Sequence, residues 1–480
     1  MDDLDTMMSG LEGEIEAYLA DHWDQMVADL DALVSIESTE DLAQAAPSSP
    51  FGPGPRAALT EALGLAQRMG LDVHDCEGYI GYADLPGASD TQIGIIGHVD
   101  VVPAGPGWTF EPYRVTRRDG YLVGRGVADD KGPLTVALHA VKFWRDKLAS
   151  ADACFPYTLR VLFGANEETN MGDVAYYRAH FADPAFLFTP DAEFPVSYGE
   201  AGICHGVLRS APIAQGALVQ FEGGVAPNAV PGTAFAVVDT TKLEGLLVFG
   251  QAEGITVSDL DDGCVRIEAQ GKSAHASTPE LGSNAIGMLV DYLLVNDACT
   301  YAEKQFLMLQ RALLRTNDGS GLGIHARDEH FGTLTAVGST VSIEDGRIVQ
   351  VMDCRYPTTT TSSAIGQKVS DLAGLIDATF QIVHDAEPFL VAPDSPAIQA
   401  LLSAYNEATG EHAEPFTMKG GTYARMFTCA ASFGPEKPWE ENPDWVGGMH
   451  GPDEGISEDL LKQAFAIYVR TIAKLMEIGW

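Results

Sequence analysis

Residues 91–103 read TQIGIIGHVDVVP and residues 157–168 read YTLRVLFGANEE. Each opens on a short apolar run rich in β-branched residues and ends in side chains that ionise or bind metal. Such a run, only four to eight residues long, predicts a strand buried on both faces. Between them, GPLTVALHAVKFWRDKL (132–148) follows a Gly-rich turn and predicts a helix, and AFLFTPDAEF (185–194) repeats the strand-then-acid pattern. Strands alternating with helices predict an α/β sheet covered on both faces. Ligands of such sheets collect outside the carboxyl ends of the strands. His98, Glu167, Glu168 and Asp191 all fall at those ends.

Outward from this centre, residues 11–36 carry Leu11, Ile15, Tyr18, Leu19, Trp23, Met26, Leu30, Leu33 and Val34 near helical spacing. They predict an amphipathic helix that packs on the sheet. A Pro/Gly-rich loop (AAPSSPFGPGP, 45–55) leads to a helix over 56–70, ended by Gly70. After about residue 195 the texture changes to many strand-like pieces, among them ICHGVLRS and GTLTAVGSTVSIEDGRIVQVMDCRYP, with helices between them. This predicts an α+β domain over 195–394, inserted into a catalytic domain made of 1–194 and 395–480. The chain then turns helical again (SPAIQALLSAYNEATG) and ends in a long helix (457–479).

Bulk composition sets bounds. A chain of 480 residues is too long for one ordinary core. Asp plus Glu number 68 against 29 Lys plus Arg, a formal net charge of −39. Such a chain repels phosphate backbones and anionic lipid, so neither nucleic acid nor a membrane is expected as partner. The cysteines number seven, are widely spaced and form no Cys-x-x-Cys pair. They read as reduced thiols of a cytoplasmic protein rather than a disulfide frame or thiolate zinc site. The acidic N-terminus has no basic flank and no apolar segment, so no signal peptide is expected. No apolar run is long enough to span a bilayer.

Five segments carry candidate chemistry: GHVDVVP (His98, Asp100), GRGVADDKGP (Asp129, Asp130), ANEETNMGD (Glu167, Glu168), TPDAEFP (Asp191, Glu193) and GGMHGPDEG (His450, Asp453, Glu454). Two divalent cations held close together need imidazole and carboxylate ligands with one group shared. His98 and Asp100 stand two apart and so share a face. Asp100 is placed to hold the ring N–H of a ligating His98. Asp129 or Asp130 could equally cap the helix that follows. Of the consecutive pair Glu167–Glu168, one can bind metal while its neighbour acts as general base.

This ordered set resembles the co-catalytic di-metal peptidases that include carnosinases, aminoacylases and succinyl-diaminopimelate desuccinylases, and within them the PepV- and Sapep-like dipeptidases. The resemblance spans roughly residues 10–475. It implies a catalytic domain with a mixed sheet flanked by helices and an inserted lid. It further implies that His98 and Asp191 bind one cation, that Glu168 and His450 bind the other, and that Asp129 bridges them. Asp100 orients His98, and Glu167 is the general base toward the water the cations share. Zinc is the expected metal, with manganese or cobalt also suited to mixed imidazole and carboxylate ligands.

From the lid, the resemblance brings His275 (GKSAHASTPE) to stabilise the oxyanion, and Asn228 (GVAPNAVPG) and Arg355 (MDCRYP) to meet the substrate. Arg355 would grip a carboxylate through its fork. Gly420, Gly421 and Thr422 (MKGGTYARMF) offer a glycine loop for the same anion, and Asp130 or Glu193 could meet the substrate amine. An insertion of about 200 residues, as in the PepV-type enzymes, implies that His275 serves its own chain and that the protein is a monomer acting on small peptides. Two other functions are weighed. An N-acyl-amino-acid amidohydrolase would share the fold but ignore dipeptides. A non-catalytic binding protein is disfavoured, because every ligand type and Glu167 are present.

Overall fold

The computed structural model describes residues 10–213, 215–244 and 249–480. The acidic start of the chain, part of the segment read as no signal peptide, lies outside the described residues. The chain divides into two compact units. The first takes in residues up to Gly199, Leu390–Phe416 and Gly421–Trp480; the second is Glu200–Phe389 with Thr417–Gly420.

The boundaries differ from the sequence expectation by about five residues, for a backbone reason. Ser197 pairs with Ser432, and the Val391 N–H donates to the Tyr198 carbonyl (2.8 Å), so both flanks of the expected insertion stay in the first unit's sheet. The segment Thr417–Gly420 goes to the second unit because its bonds lie there. The Ala201 N–H donates to the Met418 carbonyl (2.9 Å), and Lys419 Nζ reaches the Thr333 carbonyl (2.9 Å).

In the first unit, the strands Thr158–Gly164, Gln92–His98, Phe186–Thr189 and Ala430–Ser432 run parallel in that spatial order. Ile80–Leu85 pairs antiparallel on Thr158–Gly164, and Asp72–Cys76 pairs antiparallel on Ile80–Leu85, so the sheet is mixed. From its second residue to its last, Gln92–His98 is buried, and so is every residue of Phe186–Thr189. Successive side chains point to opposite faces, so both faces of the sheet are covered. The helices Leu11–Val34, Pro53–Arg68, Lys131–Ser150, Pro396–Thr409 and Glu458–Met476 share one core with it. Among the described residues no helix is long and apolar enough to cross a membrane.

Two helix ends bear on the site. The helix at Pro53 begins three residues before the expected start, with Pro53 and Pro55 in the first turn, where no N–H is needed. The helix Leu11–Val34 buries Leu11, Ile15, Trp23, Met26, Leu30, Leu33 and Val34, seven of the nine apolar positions read from the sequence. Its last turn holds no basic residue of its own. Lys131 supplies the charge instead, its buried Nζ donating to the carbonyls of Leu33 and Ile36 (3.0 Å each). That contact ties the loop of Asp129 and Asp130 to the first helix.

The second unit is an eight-stranded antiparallel sheet in the order Ile255–Asp259, Cys264–Gln270, Thr233–Asp239, Leu218–Gly223, Thr335–Glu344, Arg347–Tyr356, Gly202–Arg209, Thr379–Ala386. The helices Ala285–Val295, Tyr301–Leu314 and Ser362–Gly374 cover it with a core of its own. A two-stranded ribbon pairs Ala229 with His275 and Val230 with Ala274.

Candidate metal centre

The strand ends of the first unit bring seven predicted site residues together. His98, the last residue of its strand, is fully buried, and its Nε2 lies 2.9 Å from Asp129 Oδ1 and 3.7 Å from Asp191 Oδ2. His450 Nε2 lies 2.9 Å from Asp129 Oδ2 and 3.1 Å from Glu168 Oε2. Asp129 thus turns one oxygen to each imidazole. Two overlapping groups, His98 with Glu167 and Asp191, and His98 with Asp129 and Glu168, each bring three ligand atoms within 4.8 Å of one another.

Asp100 holds more than the ring it was expected to orient. His98 Nδ1 bonds to the backbone carbonyl of Asp100 (3.0 Å), with the carboxylate farther off at 3.5 Å. The carboxylate instead accepts the N–H groups of Glu167 (3.2 Å) and Glu168 (3.1 Å). One residue therefore fixes the imidazole and the acidic turn together. Asp130 occupies the cap position of Lys131–Ser150 but makes no side-chain cap; its Oδ2 accepts the His98 N–H (3.1 Å). Fully buried there, it is removed from the candidates for a substrate amine. Glu193 remains, two residues after Asp191. Backbone bonds set Glu436 beside it: Phe194 N–H to the Glu436 carbonyl (3.0 Å) and Glu436 N–H to the Ala192 carbonyl (3.1 Å).

Further side chains brace the site. Asp173 accepts the N–H groups of Ala165 (2.7 Å), Asn166 (3.0 Å) and Val174 (2.7 Å), holding the turn that leads into Glu167. Tyr423 donates its hydroxyl to Asp173 and sets its ring edge-on to His98, with centroids 6.3 Å apart. Arg125 and Glu454 form a buried ion pair beside the site, and these two with Asp173 and Tyr423 stand inside the motifs read from the sequence without a role assigned there. Except for Asp173, their partners are distant in the chain, so local spacing carries no signal for them.

Electrostatics set the donor set apart from an ordinary hydrogen-bonded cluster. The carboxylates of Asp100, Asp129, Asp130, Glu167, Glu168 and Asp191 face two imidazoles. Burial, reinforced by repulsion from Asp129, pushes the Asp191 carboxyl up to about 8. Burial likewise carries Glu167 well above the ordinary glutamate range, with Asp191, Glu168 and Asp129 adding to it. Hydrogen bonds to Asp129 and Glu168 raise His450 to about 11. Burial alone would lower His98, but its bonds to Asp100 and Asp129 hold it well above the usual value. Burial pushes Asp129 up too, yet the hydrogen bonds of His450 and His98 outweigh it and hold the carboxyl low. Cations bound among these groups would displace the protons the burial retains, so the donors fit a pair of divalent metals.

The remaining predicted residues belong mostly to the second unit. His275 is exposed, and its Nδ1 accepts the Ser277 N–H (3.2 Å) and lies 2.6 Å from Ser277 Oγ. This bond assigns the ring proton to Nε2. Asn228 stands next to it through the Ala276 N–H bond to its carbonyl (2.9 Å). Arg355 is buried, and its fork is engaged rather than open: Nε and Nη2 bond Asp353 (2.7 and 2.8 Å), and Nη1 donates to the Lys419 carbonyl (3.0 Å). Gly420 belongs to the second unit, Gly421 and Thr422 to the first. Thr422 Oγ1 caps the turn Tyr423–Met426 by accepting the Ala424 N–H (3.1 Å).

Imidazoles and carboxylates converging at the carboxyl ends of a mixed sheet define a metallohydrolase of the α/β class. The family described as peptidase family M20/M25/M40 matches residues 94–474, and the chain belongs to it. It is 33% identical over 468 residues, 94% of this chain and 96% of the relative, to a Beta-Ala-Xaa dipeptidase of Lactobacillus delbrueckii subsp. lactis. It is 30% identical over 465 residues, 94% of this chain and 97% of the relative, to the putative dipeptidase YtjP of Bacillus subtilis (strain 168). The crystal structure of human carnosine dipeptidase 1 superposes with a TM-score of 0.60 over 98% of this chain and 99% of that one, at 16% identity, a likeness of fold.

Proposed function

We propose that this metallopeptidase is a cytoplasmic dipeptidase that works with two divalent cations, zinc first and manganese or cobalt as alternatives. One observation supports the reading above the others: Asp129 offers one oxygen toward His98 and the other toward His450, as a bridging ligand must. His98, Asp129 and Asp191 would hold one cation, and Asp129, Glu168 and His450 the other. When bound, such a pair acts as a Lewis acid and lowers the pKa of a coordinated water to roughly 7, as zinc does.

The chain's own residues do the rest. Glu167 takes the proton from the attacking water and returns it to the leaving nitrogen, so the amide breaks with no net proton change at the enzyme. Its carboxylate lies beside His98 and Asp191, within reach of the groups that would hold the first cation. His275 donates Nε2–H to the oxyanion, and Asn228 stands beside it. Arg355, held rigid by Asp353, turns its remaining N–H groups to the substrate's carboxylate. Gly420 and Gly421 lie next to the Lys419 carbonyl that also holds Arg355. Glu193 meets the free amine, a group that N-acyl amino acids lack. All seven cysteines are free thiols, which suits a reducing compartment.

The deciding measurement is turnover of Ala-Ala, Leu-Gly, β-Ala-His, a tripeptide, N-acetyl-methionine and N-succinyl-diaminopimelate by protein reloaded with zinc or manganese. Turnover is expected for the dipeptides and little for the acylated compounds. Turnover of the acylated compounds alone moves the function to the amidohydrolases.

A monomer in which His275 serves its own chain makes a second prediction. A His275→Ala chain mixed with a Glu167→Ala chain regains no activity. Complementation between them would show a shared site and refute the monomer.

A further inference from the structure

We infer that Arg125 and Glu454 form a latch that positions His450 against Asp129 and thereby decides whether the second cation binds. The inference rests on the ligand reading above. His450 and Asp129 come from loops more than 300 residues apart in the chain. The His450 side chain is about half exposed (50%), so core packing does not fix it. His450 and Asp453 both have positive φ, 61° and 56°. That conformation is uncommon for residues with side chains, although His and Asp adopt it more readily than most, and contacts that hold the loop help impose it.

The imposition is visible. Arg125 and Glu454 are both about 1% exposed and form a buried ion pair through Nη1 and Oε2. The other oxygen of Glu454 accepts the N–H groups of Gly126 (3.0 Å), Ala128 (3.0 Å) and Asp129 (3.3 Å), which fixes the backbone of the bridging ligand. Nη2 of Arg125 faces the carbonyls of His450 (3.1 Å) and Gly451 (3.2 Å), which fixes the backbone of the imidazole. The same atom touches the carbonyls of Pro103 and Ala104 (3.4 Å each), on the loop that follows Asp100. Asp453 pins the far side of the His450 loop by accepting the N–H groups of Thr109 (2.8 Å) and Phe110 (3.2 Å).

A buried ion pair is a poor source of net stability, because desolvation offsets most of the attraction. An apolar pair could fill the same space. It could not receive three N–H groups on one side and orient the carbonyls of His450 and Gly451 on the other. That directional work is what the pair supplies, and it acts through His450 and Asp129 rather than on substrate, so both are positioning residues.

The test uses the full chain, stripped of metal and titrated with zinc or manganese alone by calorimetry. Arg125→Met and Glu454→Gln are expected to weaken the second equivalent at least roughly tenfold more than the first, which shares Asp129 but not His450, the usual scale for losing a group that orients a ligand. Glu454→Gln keeps the shape and one acceptor oxygen, so it reports on the latch if Arg125→Met does not fold. Arg160→Met is the control. It breaks the buried Arg160–Asp84 pair (2.7 Å) of the same unit, and should lower the melting temperature while leaving both equivalents unchanged. Wild-type binding of both equivalents by the latch variants, equal weakening of both, or the same selective loss in Arg160→Met would overturn the latch. His450→Ala separates the two levels: it should lose one cation. If it keeps both, the ligand reading fails and the latch with it; if it loses one while the latch variants bind normally, the latch alone fails.

Discussion

Glu167→Gln lowers dipeptide hydrolysis by roughly 100-fold or more, the scale of a lost general base, and leaves two cations bound. The substitution keeps the shape of the side chain and removes its capacity to take a proton. The backbone that aims it is anchored independently: Asp100 accepts the Glu167 N–H and Asp173 holds the turn before it. Position should therefore survive, and the loss should fall on kcat more than on KM. Metal content of the purified variant separates this role from the obvious alternative. Glu167 lies within ligand distance of His98 and Asp191, so it could in principle bind a cation itself. A Gln variant that loses one equivalent of metal along with activity would make Glu167 a ligand. A variant with both metals and a near-normal rate would remove it from the chemistry.

The parts of this molecule legible in its sequence are those where one local rule decides. Strands covered on both faces leave β-branched runs with polar residues at their ends, so the strand of His98 and the positions of Glu167 and Asp191 could be read directly. Where a choice depends on distant chain, the sequence says less. The spacing of His98 and Asp100 puts both on one face, but the turn beyond the strand brings the Asp100 carbonyl (3.0 Å) nearer the imidazole than its carboxylate (3.5 Å). Asp130 looked like a helix cap; the buried N–H of His98, 32 residues away, takes its carboxylate instead. Two further features carry a local signal of their own. Asp353 and Arg355 stand two apart on one strand, the spacing that lets them pair. Thr300 and Glu303, three apart, form the capping box of the helix Tyr301–Leu314. The assignment of Thr417–Gly420 to the second unit had no local signal at all, since it follows from bonds to Ala201, His330 and Thr333.

Stripping the metals should abolish hydrolysis and make the protein's stability fall as pH rises, and the sign follows from the cluster itself. Asp191 is pushed up to about 8 in the metal-free fold, whereas an unfolded aspartate titrates near ~3.9. Between those values the folded chain holds a proton that the unfolded chain has lost, so stability declines across the window. Glu167 and Glu168, both raised chiefly by burial, act in the same direction. His450, raised to about 11, stays protonated above the ordinary histidine range and extends the decline to higher pH. Asp129, held low, has the opposite sign, but its effect lies in acid below the window. Each carboxyl that keeps its extra proton contributes a slope of up to about 1.4 kcal/mol per pH unit. The chelated protein should therefore melt at a clearly lower temperature near pH ~8 than near pH ~5.5. Saturating zinc or manganese should remove most of that difference, because cations replace the protons the fold otherwise retains. The same exchange requires proton release when metal binds near neutral pH, measurable by titration calorimetry in buffers of different ionisation enthalpy. A metal-free melting temperature that does not fall with pH, or proton uptake on binding, would mean that these carboxylates are not the ones the cations neutralise.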